Sequence, residues 1–291
     1  MEQFDPENVM RRSRRENAAY VIDQVRQLGL TAHLKSRLMQ MHDALNRDYV
    51  SYGDPEFAAA LEAERDMQIL GFVFDTMQEH RACAEFRNRV YCTLKDRVLP
   101  QDNLEESPGR DAQFELYVAA IAEKAGLRPV VCEEPDVTCV VQGVKFGVAA
   151  KRLKSLSQFG KRVRQGINQV SRTKLPGIIA VDISLARDQN NAPIISPFES
   201  QMYRLIAPFA ANQLFDKHHV DVFRWVRGTG VIAVVLFDFT VRVRPNDEWG
   251  LDGMVTWLCT TFDDEANRKY ESFWDGFSRG IPNVRPLGSQ V

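Results

Sequence analysis

Apolar residues recur at intervals of three or four through most of the N-terminal third of the chain. Val21, Val25 and Leu28, then Leu34, Leu38, Met41 and Leu45, each trace one buried face of a helix. The helical pattern extends over about 16–100. Gly29 and the Tyr52-Gly53-Asp54-Pro55 turn divide it into shorter helices and a long one, or a broken pair, over 56–98. A polar stretch with two prolines, Leu99 to Gly109, reads as a linker. Beyond it the period changes. A helix over 111–125, with Asp111 as N-cap and Gly126 just past its end, carries the stripe Phe114, Val118, Ile121 and Ala125. Strand-like runs follow at 129–133, 137–141 and 144–150, and then a helix capped by Ser155 or Ser157 with Leu156, Phe159, Val163, Ile167 and Val170 on one face. The apolar run 178–184 suits a buried strand. Further on the pattern predicts a helix over 198–226 interrupted near Pro208, strands at 231–243 and 255–262, and a last helix at 267–277. The expected organisation is a helical region, 1–105, followed by an α/β domain, 106–291.

The central runs flank Gln142-Gly143, a two-residue hairpin loop that Gly favours and Gln does not. With that loop Val141 faces Val144 and Asp136 lies opposite Ala149. Asp136, Ala149 and Lys151 then project from one face, within roughly 5–8 Å of one another. A slip of one residue would send Asp136 to the other side, and longer loops are the alternative. Glu115 lies beside the apolar stripe of the preceding helix, where it can face either the hairpin or water.

Pro135-Asp136, Ala149-Ala150-Lys151 and Glu115 on the leading helix resemble the motifs of the PD-(D/E)XK superfamily of restriction-endonuclease-like nucleases. The resemblance covers about residues 110–185 and implies an αβββαβ core within an α/β fold. It departs at Ala149, where the family usually has a second metal-binding acid. By resemblance, Asp136 is a metal ligand, Lys151 orients water and phosphate, and Glu115 completes or supports the shell around Mg²⁺ or Mn²⁺. Glu115 or Glu134 is the candidate metal ligand to replace the missing acid at Ala149, and Glu134 shares the parity of Asp136 only if the strand continues through Pro135. The implied function is metal-dependent phosphodiester hydrolysis of nucleic acid, in restriction, repair or defence against foreign DNA. The alternative is an inactive nuclease fold that binds nucleic acid or a protein partner. A bare cross-strand ion pair in an unrelated α/β protein would use the same Asp136 and Lys151.

Charge sharpens the nucleic-acid expectation. The net charge is −2, yet 137–181 holds nine lysines and arginines and no acid. Arg152, Lys161, Arg162 and Arg164 are the expected contacts to a nucleic-acid backbone, and the resemblance implies that Gln165 and Gln169, one turn apart, share that role. An ordinary solvated helix face has the same composition. The arginines at 11, 12, 14 and 15 form a second, terminal basic cluster. Five cysteines without metal spacing, no apolar run near the ~18 residues of a membrane span, and no signal-peptide core suggest a reduced, cytoplasmic setting. The N-terminal helices are candidates for a homodimer or protein-partner contact.

Other chemistries lack a foothold. Gly276-Phe277-Ser278-Arg279-Gly280 fits GxSxG formally, but a hydrolase needs a later His and none follows His219. Adjacent His218 and His219 point apart on a helix, and no phosphate-binding glycine loop is present.

Overall fold

The computed structural model describes residues 12–47, 55–98, 107–187, 200–243, 249–259 and 264–282. The helical N-terminal pattern becomes α1 (Arg14–Gln27), α2 (Arg37–Asn46), α3 (Pro55–Thr76) and α4 (Ala84–Thr93). Of the two expectations for 56–98, the broken pair forms, divided by the 3₁₀ turn Gln78–His80. Ser13 opens α1 with a capping box in which Glu16 returns the bond. Residues 52–54 of the expected turn, 99–106 of the linker and the arginine at 11 lie outside the described residues.

Helix α5 spans Pro108–Lys124 and so begins before Asp111. Pro108 occupies the first turn, where its missing N–H costs nothing, and Ser107 is the N-cap without a side-chain bond. Gly126 takes φ +73° past the helix end, as a C′ glycine does. Strands β1 (Val137–Val141) and β2 (Val144–Arg152) form the hairpin, and Val141 pairs with Val144 across Gln142-Gly143. Both loop residues have positive φ, at +49° and +79°, the geometry that matches the twist of a tight hairpin. The strand expected at 129–133 does not form. Only Val131 bridges to Thr138, and Pro129, two residues before it, has no N–H to donate to a ladder.

After the hairpin come the 3₁₀ turn Leu156–Gln158, capped by Ser155, and α6 (Phe159–Thr173), then β3 (Gly177–Asp182). The short α7 (Ser184–Arg187) and long α8 (Ser200–Val226) follow, and α8 runs on through Pro208 without the expected interruption. β4 (Val231–Val243), β5 (Trp249–Cys259) and α9 (Asp264–Phe277) end the described fold. The result is α/β, with a five-stranded mixed sheet in the order β1-β2-β3-β4-β5. β2, β3 and β4 are parallel, and β1 and β5 run antiparallel to their neighbours.

Side-chain alternation divides the core between the two faces of this sheet. Val148, Ala150, Ile178, Ala180, Val235 and Phe237 pack toward α5, α9 and the N-terminal helices in one hydrophobic cluster. Ala149, Ile179, Val181, Val234 and Leu236 pack under α6 and α8 in another. Tyr117 of α5 lies edge-on to Phe237 and Phe239 of β4, tying that helix to the sheet.

At the carboxyl ends of β2 and β3 the first cluster gives way to buried charge. Arg152 Nε donates to Asp182 Oδ2 at 2.6 Å, and Arg152 Nη1 reaches the carbonyl of Arg110 at 3.2 Å. Arg110 of α5 faces Asp66 of α3 at 3.5 Å, and Asp66 also pairs with Arg37 of α2. Burial pushes both Asp66 and Asp182 toward neutrality, but it is outweighed. Arg37, Arg110 and Arg65 hold Asp66 well below the ordinary carboxylate range, and Arg152, Arg65 and two bonds from Ser184 hold Asp182 below it. Burial raises Glu62, which works in the opposite sense. Because Asp66 and Asp182 bind protons less readily folded than unfolded, their contribution is complete above about pH 4 and is lost as pH falls further. The urea midpoint is expected to drop through that acid range. Asp182→Asn, which leaves Arg152 buried without a carboxylate, is expected to lower unfolding free energy by about 3–5 kcal/mol at neutral pH and to flatten the acid slope.

Candidate functional site

Asp136 stands at the entrance to β1, after Pro135. Gly147 of β2 makes that approach possible, since a Cβ there would lie 2.9 Å from Pro135 Cγ. Asp136 Oδ2 accepts the Ala150 N–H at 2.8 Å and Lys151 Nζ at 2.7 Å, and Lys151 also donates to Ala150 O at 2.9 Å. Gln169 of α6 donates from Nε2 to Pro135 O at 3.0 Å and, more weakly, to Asp136 Oδ1 at 3.3 Å. Both Asp136 and Lys151 side chains are 11% exposed. The pair is thus desolvated enough to matter energetically while Lys151 still lines a cleft.

That cleft, of about 360 Å³, lies between α5 and α6 at the end of β2. Asp111 and Glu115, one turn apart on α5, form one wall. Arg162, Gln165, Asn168, Gln169 and Arg172 form the other, from the polar face of α6. The spacing of three and four places these five on one side of the helix, while Val163, Ile167 and Val170 bury the other. Burial raises the Asp111 carboxyl, opposed by Arg152, Arg162 and Lys151.

Glu115 reaches the cleft but not unaccompanied. Its carboxylate pairs with Arg89 of α4, and Arg89 Nη2 also donates to the Asp136 carbonyl at 3.3 Å. Arg89 has no motif around it in the sequence; only the packing of α4 on α5 brings it here. Arg172 belongs to the basic set that the sequence places on this helix, whereas Asn168 carries no sequence signal, although the face through Gln165 and Gln169 passes through it.

The remaining expected residues separate. Lys161 and Arg164 are exposed on α6, with the Arg164 guanidinium 4.8 Å from the Trp225 ring. Arg152, expected among the nucleic-acid contacts, still lines the cleft but is only 4% exposed, with its guanidinium bonded to Asp182 and to the Arg110 carbonyl. Glu134 precedes the strand, is exposed, and lies 3.6 Å from Arg172 without lining the cleft. Ala149 is fully buried among Val163, Ile167 and Ile179. Above it, a Cβ on Gly166 would lie 2.9 Å from Ile179 Cγ2 and 3.4 Å from Ala149 Cβ, so α6 is seated closely on this position.

Among the described residues, no three His, Cys, Asp or Glu side chains gather into a metal-holding group. Oxygen donors at the cleft include the Asp111 and Glu115 carboxylates and Gln169 Oε1, which is buried without a hydrogen-bond partner, and the Asp136 carboxylate adjoins them through its contacts with Lys151 and Gln169. Such hard oxygens suit a magnesium-type ion, which takes one or two carboxylates and keeps several waters. Burial pushes the Cys132 and Cys139 thiols up to about 11 and about 12, leaving them protonated small hydrophobes rather than nucleophiles. Ser278 follows α9 rather than a strand, which removes the hydrolase reading of its GxSxG. Among the described residues no helix is long and apolar enough to cross a membrane.

No protein-family model matches the chain, and no curated protein matches it in sequence. The cleft must therefore be read from its own chemistry. Ala149→Glu would place a carboxylate against the Gly166 backbone inside an apolar cluster, and is expected to cost at least about 2 kcal/mol of stability in urea unfolding. A loss below about 0.5 kcal/mol, typical of surface changes, would show that position 149 opens onto the cleft.

Proposed function

We propose that this protein is a metal-dependent nuclease of the restriction-endonuclease-like type, acting on nucleic-acid phosphodiesters at the cleft between α5 and α6. The observation that carries the reading is the Asp136–Lys151 contact at 2.7 Å at the adjoining ends of β1 and β2, with Gln169 on the same aspartate and Glu115 in the same cleft. The order α5, hairpin, α6 and parallel β3 supports it, although the first strand of the expected αβββαβ core is reduced to the single Val131 bridge.

In this reading the nucleic-acid backbone lies along the polar face of α6. Arg162 and Arg172 meet phosphate charge, and Gln165 and Asn168 offer hydrogen bonds between them. Lys161 and Arg164 extend the basic surface outward. Lys151, with little access to bulk water, places its ammonium beside the scissile phosphate and holds the attacking water in line. Asp136, Glu115 and Gln169 Oε1 would hold a divalent cation, which when bound neutralises charge on the phosphate and lowers the pKa of water. Gln169 and the Ala150 N–H keep the Asp136 carboxylate in place. Arg152 lines the cleft with its guanidinium held by Asp182 and the Arg110 carbonyl.

A second reading, nucleic-acid binding without cleavage, is favoured by Ala149. The position of the usual second acid is apolar, buried and closed by Gly166. The two readings part in one assay on single- and double-stranded DNA and RNA with Mg²⁺, Mn²⁺ or EDTA. The nuclease reading expects metal-dependent cleavage that falls at least about a hundredfold in Lys151→Ala and Asp136→Asn, with the far-ultraviolet circular dichroism unchanged. Cleavage retained in both variants overturns the site. No cleavage by the folded chain, with binding whose salt dependence weakens in Arg162→Ala/Arg172→Ala, supports the second reading.

A further inference from the structure

Every acid expected to hold a cation at this cleft already faces a cation from the chain. Asp136 has Lys151 at 2.7 Å. Glu115 has Arg89, whose second nitrogen is bonded to the Asp136 carbonyl at 3.3 Å. The Glu115 and Arg89 side chains are only 16% and 23% exposed, so water screens the pair weakly and a bound guanidinium there strongly disfavours a second positive charge. Ala149 adds no negative charge to offset it. Asp136 and Glu115 are thus each met by a cation of the chain, and Arg162 and Arg172 add further positive charge to the cleft.

We infer that Arg89 is a gate for the divalent cation: its guanidinium occupies Glu115, and a hard cation gains that ligand only when Arg89 leaves it. This rests on the divalent-cation reading of the cleft and adds a residue from the N-terminal helical region to it. Lys151 cannot play the same part, because it is anchored by both Asp136 and Ala150 O on its own strand. Arg89 comes from α4, a separate helix, and its only backbone tie in the site is the longer bond to Asp136 O. The cation affinity of the cleft is therefore set by how α4 is seated against α5. The exchange is purely ionic: one Glu115–guanidinium pair breaks, one Glu115–cation contact forms, and no proton moves.

The test is Mn²⁺ binding to the full chain without nucleic acid, followed by the electron paramagnetic resonance of free Mn²⁺. Arg89→Gln is expected to bind about tenfold or more tightly than the native chain, the effect of removing one close like charge. Arg89→Lys, which keeps the charge, is expected to stay within about threefold of native, less than one close charge is worth. In Arg89→Gln/Glu115→Gln the gain should vanish. A folded Arg89→Gln that binds no more tightly, or an Arg89→Lys that tightens equally, overturns the gate. If Arg89→Gln does not fold, Mg²⁺ titration of the native chain decides. The Arg89 side-chain Nε–H resonance, assigned by its absence in Arg89→Lys, should shift as Mg²⁺ binds, and a static resonance during binding overturns the gate. Loss of Mn²⁺ binding in Asp136→Asn identifies the cation site independently. Mn²⁺ binding that ignores Asp136→Asn, or none in any variant, removes the cation reading itself.

Discussion

A charge taken out of water costs several kcal/mol unless an opposite charge and further hydrogen bonds meet it, and the Arg152–Asp182 pair at the ends of β2 and β3 puts that constraint at the centre of this fold. Neither residue has solvent to fall back on. Arg152 continues to the Arg110 carbonyl, the Arg110 side chain to Asp66, and Asp66 to Arg37 and Gln113. The chain of contacts runs from the central sheet through α5 into α3 and α2. Pulling those helices away would break the contacts of Arg110 with Asp66 and of Asp66 with Arg37 and leave buried charge less well met, so the N-terminal helices are seated by charge as well as by the hydrophobic cluster they share with α5.

The same strand makes the candidate site. Lys151 and Arg152 are neighbours, and the pleat sends one to the cleft and the other to the buried network. The network stiffens the strand end from one side, and Lys151 and Asp136 present their charges on the other. Arg89 connects the two sides. It belongs to α4, which packs on α5, and it reaches both the Glu115 carboxylate and the Asp136 backbone. The electrostatics of the cleft thereby depend on a helix that contributes nothing to its visible motif.

Ala149 shows how a single position separates architecture from chemistry. The small side chain and Gly166 above it let α6 approach β2 closely, which is also what brings Gln169 to Asp136. Close packing and a third acid are competing uses of that space, and the packing has taken it. The oxygen donors that remain come from three elements, the entrance to β1, α5 and α6, rather than from the hairpin alone.

Sequence by itself determined the local geometry. Period-two and period-three-to-four patterns placed nearly every helix and strand, and Gln142-Gly143 set a register in which Asp136 and Lys151 had to meet. These are short-range consequences of backbone geometry, and only a few residues are needed to specify them. Tertiary structure decided what those patterns leave open. Pro129 deprived the run at 129–133 of a donor and the run kept one bridge, the start of β1 at Val137 left Glu134 outside the strand, and burial tied Arg152 to Asp182. Arg89 lies far from Glu115 in the chain, and its place at the cleft follows from helix packing. A one-dimensional pattern records which face a residue occupies; which charge waits opposite that face is set by long-range packing, and at this site it decides the chemistry.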